Sequence, residues 1–186
     1  AEGPSGLAAA VLAAPLVAYT AVLLSDTAVP TWHGARKHLP YVFVSSASLA
    51  AGGAAMVTTP TSQTGPARAL AALGVVGDVV AMHVMKDHMH PAEAQPLETG
   101  KPGAKLTWAE RLAIAGGIGT LFAGNRLVAA ASGTALLAAS ALTRFGVLEA
   151  GLESTKDPKH VIEPQKDRLA ARRAAGITDD SITTAG

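Results

Sequence analysis

The sequence predicts an all-α, polytopic membrane helix bundle followed by a polar C-terminal tail. Of the 186 residues, 49% are hydrophobic and only 16% are charged, whereas soluble domains average about 25% charged residues. Residues 3–25 and 39–67 contain no Asp, Glu, Lys or Arg, and each run exceeds the roughly 20 helical residues that cross a hydrocarbon core. Helices are favoured over strands because a lone strand would leave backbone groups unpaired in lipid.

We expect about five transmembrane helices within residues 1–150 and a polar, partly disordered tail over 151–186. The first two helices correspond to the uncharged runs, the third contains Asp78, and the last two form a hairpin that turns at Gly124-Asn125. The expected helices span residues 6–25, 40–58, 66–85, 107–124 and 126–145.

Prolines indicate the loops between these helices, because proline interrupts a helix interior. Pro30 and Pro40 flank the first loop, and Pro60 and Pro66 flank the second. Pro91, Pro96 and Pro102 lie in the third loop.

Small residues four apart occur on two of the predicted helices. They either form faces for close helix packing in lipid or arise by chance in an Ala-rich sequence. The two stripes are Ala47, Ala51 and Ala55, and Ala115, Gly119 and Ala123.

Charge counting predicts the orientation. With five spans, 13 of the 15 Lys and Arg residues lie on the side of the C-terminal tail, and only Arg68 and Arg126 lie on the other. The positive-inside rule therefore predicts a cytoplasmic tail in a bacterial cell membrane. Residues 1–6 lack a basic region and an initiator Met, so we expect the chain to begin inside a longer protein or to follow processing.

Composition also disfavours several function classes. Without cysteine, the chain offers no thiol catalysis and no ligand set for an iron–sulfur cluster, and we expect no haem. A net charge of +1 disfavours nucleic-acid binding. The run from His83 to His90 contains three His and one Asp, but its spacing is not that of a closed metal site, so we predict no metal there.

Asp78 is the strongest functional candidate, because an ionisable group in the middle of a membrane helix costs about 2.5–3.5 kcal/mol on insertion scales. It either relays protons, or is neutral, or serves structure by pairing with an Arg of a neighbouring helix. Asp26, Trp32 and His33 follow the first helix; they either anchor it at the interface or line a functional loop, where His33 could exchange a proton. Arg144 either anchors the last helix or pairs with Asp78.

Several elements in a fixed order resemble the second half of the NrfD/polysulfide reductase membrane subunits. They are the stretch from Tyr19 to His33 that contains Leu-Leu-Ser-Asp-Thr-Ala-Val-Pro-Thr-Trp-His, the segment Leu39-Pro-Tyr-Val-Phe-Val-Ser-Ser-Ala with Gly52-Gly53, and the closing Leu142-Thr-Arg-Phe-Gly-Val-Leu-Glu-Ala-Gly151. The resemblance covers roughly residues 10–165, with 66–125 matched mainly by hydropathy.

This resemblance implies a non-catalytic integral membrane anchor subunit of a bacterial quinone-linked oxidoreductase complex. Such subunits bind menaquinone or ubiquinone, exchange electrons with a ferredoxin-like iron–sulfur subunit, and leave the substrate chemistry to a large molybdopterin-type catalytic subunit. The family usually has eight or more spans, so the resemblance also implies an N-terminal half of the same subunit. Its better-supported quinone-contacting residues lie in that half and are not transferred. Asp26, Trp32, His33, Asp78 and Arg144 are therefore the quinone or proton-relay candidates on physical grounds.

Two other function classes remain open. Half of a small-solute or ion transporter would also carry a mid-membrane Asp, although no broken-helix motif is evident. A structural membrane anchor without quinone chemistry is the third possibility.

Overall fold

The computed structural model describes the backbone of residues 3–177 and the side chains of residues 11–13 and 15–177. This part of the chain is all-helical, with 85% helix and no strand. It forms eight α-helices, α1 Gly3–Ser25, α2 Pro30–Gly34, α3 Leu39–Thr58, α4 Gly65–His88, α5 Pro91–Glu98, α6 Gly100–Leu121, α7 Arg126–Ser154 and α8 Lys159–Ala174, with one 3-10 turn at Thr61–Gln63.

Four long helices form an antiparallel bundle. In it α3 packs against α4 and α7, and α6 packs against α7 and α4, while α1 lies along α3. Because successive long helices reverse direction, the short helices α2, α5 and α8 all fall at one end, where they contact one another and α7. We call this the capped end, and call the opposite end, formed by residues 59–64 and 122–125, the plain end.

Within the part of the chain whose side chains are described, three helices, α3, α4 and α7, are long and apolar enough to cross a membrane. The expected count of about five is not confirmed. Helix α6 begins at Gly100 rather than near residue 107, so it includes Lys101, Lys105, Glu110 and Arg111 within its length. Helix α1 extends over Gly3–Ser25, and its side chains are described over part of that length, which includes the apolar stretch Val11–Ser25.

The prolines of the predicted third loop lie within helices, so their interpretation as loop residues was wrong. Pro91 and Pro102 occupy the first turns of α5 and α6, where the missing N–H has no helical acceptor in any case. Pro96 lies inside α5 and leaves the Ala92 carbonyl without its usual i+4 donor. The Nδ1 of the buried His160 donates to that carbonyl at 2.6 Å, which attaches α8 to α5.

Helices approach closely through faces adjacent to the predicted stripes. On α3 the buried face includes Ser46, Gly52 and Gly53, whereas Ala47, Ala51 and Ala55 are partly or fully exposed. On α6, Gly116 and Thr120 are buried and Ala115 is exposed. The α6 stripe contributes to packing, because a Cβ at Gly119 would collide with Ser132 of α7 and Ala123, just beyond α6, is buried. The α3 stripe lies beside the packing face, as the alternative of chance spacing allows.

Glycine is required where α3 meets α7. A Cβ added at Gly53 would lie 2.7 Å from the carbonyl oxygen of Gly133, closer than nonbonded atoms approach. The two backbones thus pack directly against each other, as close helix pairs in lipid do.

At the plain end, two arginines bind the C-terminal carbonyls of neighbouring helices. Arg68 on α4 donates to Thr120 O at 2.6 Å and to Leu121 O at 3.0 Å. Arg126 donates to Thr59 O at 2.9 Å, and also to two carbonyls of the last turn of α3. Helix C-termini carry unpaired carbonyls and partial negative charge, so cations are stabilising there.

Most of the described part of the polar tail is helical. Helix α7 continues past residue 150 to Ser154, and α8 folds back onto the capped end. His90, the N-cap of α5, bonds Asp167 of α8 through Nε2 at 3.0 Å. Because the His90 Nδ1 accepts from the Ala92 N–H, its proton lies on Nε2. Residues 178–186, where disorder was expected, lie outside the described residues.

Candidate functional site

Asp78 is the only charged residue on the buried face of α4. That face contains Ala71, Gly74, Val75 and Met85 besides Asp78, at the three- and four-residue spacing of one helix side. Asp78 is 5% exposed. Helical periodicity therefore holds its carboxylate inside the bundle rather than against lipid.

A polar layer separates two apolar clusters of the bundle at the level of Asp78. The cluster toward the capped end includes Phe43, Met85 and Val147, and the cluster toward the plain end includes Leu49, Val75 and Ala139. We call the residues between them the mid-bundle polar layer, defined as Ser46, Asp78, Glu110, Ser140, Thr143 and Arg144.

Two serines of this layer join α3 to α7. The hydroxyls of Ser46 and Ser140 are both buried and lie 2.9 Å apart. A hydrogen bond of this kind between membrane helices contributes about 0.6 kcal/mol on average. It fixes the relative height of the two helices that flank the carboxylate.

Asp78 has one oxygen that the surrounding protein does not satisfy. Its Oδ1 is buried and has no hydrogen-bond partner among the described residues. A small cavity lined by Asp78, Glu110 and Thr143 adjoins it, with about 10 Å³ of room for the centre of a water molecule. That is close to the smallest space that holds one water, provided polar partners are present.

Arg144 supplies the positive charge that faces Asp78 from α7. The two charges attract each other, but they do not form an ion pair within 4.0 Å in the described chain. The guanidinium instead lies 5.1 Å from the centroid of the Phe43 ring on α3, within the range of a cation–π contact. The carboxylate is thus stabilised at a distance without being locked into a bidentate pair.

Glu110 places a second carboxylate next to Asp78 and repels it. On its other side, the Glu110 Oε1 lies 3.8 Å from the Nε2 of His83. His83 also donates from Nδ1 to the Val79 carbonyl at 2.9 Å. The site therefore contains an acid, a neighbouring acid, a remote guanidinium and an imidazole on three helices.

The loop candidates lie elsewhere. Asp26 is exposed after α1, and the half-buried His33 accepts a hydrogen bond from Arg36 at 2.6 Å. Trp32 is not an interfacial anchor, because it is 7% exposed and its Nε1 donates to Val147 O at 2.9 Å. No hydrogen bond or ion pair of the described residues connects these three to Asp78.

The histidines of the run from His83 to His90 point to different partners. His83 approaches Glu110, His88 stacks with His38 at a centroid distance of 4.9 Å, and His90 binds Asp167. Within the described part of the chain, no group of three or more His, Cys, Asp or Glu side chains could hold a metal ion.

The sequence identified Asp78 and Arg144 as candidate site residues but did not point to Glu110 or Thr143. Glu110 was missed because the fourth helix was expected to begin at residue 107, which put Glu110 near an interface. Starting that helix at Gly100 moves Glu110 to its middle. Thr143 carried no signal of its own beyond its position next to Arg144.

No family model, no curated protein and no solved structure matches this chain. The resemblance to the NrfD/polysulfide reductase subunits stays a prediction from the sequence.

Proposed function

We propose that this chain is an integral membrane anchor subunit of a bacterial quinone-linked oxidoreductase complex. In this role the subunit exchanges electrons between the membrane quinone pool and a docked iron–sulfur and molybdopterin enzyme. The observation that supports the proposal best is the buried Asp78, whose free oxygen adjoins a cavity between α4, α6 and α7. Quinone reduction takes up protons together with electrons, so the apolar interior must contain groups that hold and release protons.

The cavity beside Asp78 fits a water molecule and not a quinone ring, because its room for a water centre is only about 10 Å³. We therefore place no quinone ring in this cavity. The menaquinone or ubiquinone of the complex would supply the redox chemistry when bound. What this chain contributes is proton handling, in which Asp78 accepts or releases a proton and Arg144 stabilises its carboxylate.

The proposed setting is a bacterial cell membrane with the capped end on the cytoplasmic side. At the plain end lie only Arg68 and Arg126, whereas the other Lys and Arg residues lie at the capped end or between it and the middle of the bundle, which agrees with the positive-inside rule. The proposed partners are a ferredoxin-like iron–sulfur subunit, a large molybdopterin-type catalytic subunit, an N-terminal half of the same subunit, and membrane lipid.

The buried carboxylate also favours a second candidate, half of a small-solute or ion transporter. A carboxylate with an unsatisfied oxygen in a helix bundle can exchange a proton or hold a cation during transport. A structural anchor without quinone chemistry would need Asp78 for packing alone.

The first test isolates the native complex in mild detergent through a C-terminal tag. Mass spectrometry of that complex should recover a Cys-rich iron–sulfur subunit, a molybdopterin subunit and a lipid quinone. Recovery of the chain alone, without quinone, would contradict the proposal.

The second test compares Asp78→Asn with Asp87→Asn, the same substitution at an exposed site of the same helix. If Asp78 relays protons, its variant should lose quinol turnover by at least about 100-fold, the lower range for general acid–base groups, while Asp87→Asn stays near the wild type. A loss of solute uptake without a change in quinol turnover would favour the transporter. A change in complex assembly alone would favour the structural anchor.

A further inference from the structure

We propose that Glu110 and His83 form a proton route between Asp78 and the surface of the bundle. The inference rests on the proposed role of Asp78 as a proton-exchanging group, and it adds two residues from α6 and α4. The proposed route runs from the cavity beside Asp78 to the exposed imidazole of His83.

The inner step joins Asp78 to Glu110 through the cavity. Both side chains line it, together with Thr143, and a water at its centre would contact the free Oδ1 of Asp78. Two carboxylates and a hydroxyl give such a water the polar partners it needs. A proton can then pass from one carboxyl to the other through a single intervening water.

The outer step joins Glu110 to His83. The Glu110 Oε1 and the His83 Nε2 are 3.8 Å apart, and the two side chains are 39% and 53% exposed. Rotamer changes of exposed side chains take picoseconds to nanoseconds, so side-chain motion closes this gap to hydrogen-bond length. The Nδ1–H of His83 is held by the Val79 carbonyl, which leaves Nε2 to bind and release the proton.

The surrounding surface makes this pair unusual. Its exposed neighbours are apolar, with Val80 and Val84 on α4 and Ile114 and Ile118 on α6. An acidic and a basic group on such an apolar surface are costly, and costly ionisable groups of this kind commonly mark ion or proton pathways. The pair therefore marks the outer opening of the route.

The other charged groups near Glu110 are engaged elsewhere. Lys105 pairs with Glu149 of α7, and Arg111 lies 5.4 Å from the centroid of the Trp108 ring. Arg144 faces Asp78 from α7 and stacks on Phe43 of α3. The ionisable groups that remain next to Glu110 are Asp78 on one side and His83 on the other.

Each transfer moves one proton and no electrons. For uptake, the His83 imidazolium gives its Nε2 proton to the Glu110 carboxylate and becomes neutral. The Glu110 carboxyl then protonates the cavity water as the water gives a proton to the Asp78 carboxylate. His83, which lies five residues before the end of α4 at the capped end, then regains a proton from the aqueous phase beyond that end.

The test is a pH-jump infrared measurement on the native detergent-extracted complex. The carboxyl band of Asp78 is identified as the one that Asp78→Asn removes, and the rate at which it re-equilibrates is measured. Glu110→Gln should slow that rate by at least about tenfold, on the scale of a lost proton-transfer group. His83→Gln should slow it by a smaller factor, with recovery when imidazole is added to the buffer.

Two matched variants control for structural effects. Glu149→Gln removes a carboxylate with 37% exposure that does not line the cavity. His88→Gln removes an imidazole that makes the same bond to the carbonyl four residues before it, at 2.8 Å, but stacks with His38. Both should leave the Asp78 rate unchanged.

The result also distinguishes this route from the proposed function. A wild-type Asp78 rate in Glu110→Gln would overturn the route, even if Asp78→Asn abolishes quinol turnover and so supports the function. A slowed rate in Glu110→Gln would support the route, even if Asp78→Asn leaves turnover intact and so removes the relay role.

Discussion

The two ends of the bundle are held together in different ways. At the plain end, Arg68 and Arg126 each bind the last carbonyls of one neighbouring helix. At the capped end, contacts join elements far apart in sequence, as when Trp32 binds Val147 and His160 binds Ala92. Both ends are thus closed by contacts between residues distant in sequence. The difference is that arginine side chains alone bind the helix termini where the loops are short, whereas additional helices make the contacts at the capped end.

The mid-bundle polar layer lies between these two ends. Its residues come from α3, α4, α6 and α7, so its geometry depends on how both ends set the heights of those helices. Variants that affect one end more than the other would show which end positions Asp78.

The largest expected effect is at Trp32, the central aromatic of the capped end. Trp32→Ala removes a buried ring and its bond to Val147 O, and we expect a loss of about 3–5 kcal/mol in the free energy of unfolding. Trp108→Ala is the matched control, because Trp108 is 56% exposed. Equal losses in denaturant titrations of the two detergent-solubilised variants would contradict the assignment of Trp32 to the core.

The next effect compares a glycine from each end. A Cβ at Gly151 would lie 2.0 Å from the Trp32 ring, whereas one at Gly124 meets nothing within 4 Å. Gly151→Ala should therefore destabilise by about 1–3 kcal/mol through overpacking, and Gly124→Ala should cost nothing measurable by the same titration. A stable Gly151→Ala protein with unchanged tryptophan fluorescence would contradict this expected difference between the two ends.

A smaller effect is expected at the plain end. Arg126→Ala leaves the carbonyls of Met56, Val57 and Thr59 without their donor, but these lie near the surface where water replaces it. We expect a loss of about 1 kcal/mol in the unfolding free energy, with faster amide exchange confined to the end of α3. Exchange that accelerates throughout the capped end would show that the two ends are coupled.

The smallest effect concerns acid pH at the start of α8. The backbone N–H of Lys159 donates to the Asp157 carboxylate and lowers the pKa of that carboxyl below its ordinary 3.8. A depressed folded-state pKa means that the contribution is complete above the unfolded value and is lost as the pH falls through the folded one.

Amide protection in the first turn of α8, measured as the exchange rate relative to the intrinsic rate at each pH, should thus fall below about pH 4, near the ordinary pKa of a free Asp. Asp157→Asn should remove this acid dependence, and Asp167→Asn should retain it. Acid-dependent exchange that persists in Asp157→Asn would assign the effect to another group.

The sequence predicted the helices of the backbone more fully than it predicted the residues of the candidate site. The uncharged run 39–67 predicted α3 to within one residue, and the mostly apolar run 66–85 predicted the core of α4, because apolar length is a local property of the chain. The proline positions misled the prediction of residues 89–106, since proline is also compatible with the first turn of a helix. Asp78 and Arg144 were found because charges in apolar runs stand out, whereas Glu110 lay in a polar stretch and did not.

The sequence by itself determined that the chain is all-helical, rich in apolar helices, and charged mostly at one end. These features follow from composition and periodicity, which each segment carries regardless of its neighbours. Only the tertiary structure decided that α8 folds back onto α5, that Trp32 lies in the core, and that Asp78 shares a cavity with Glu110. Those outcomes depend on which helix faces meet, and that depends on packing between residues distant in sequence.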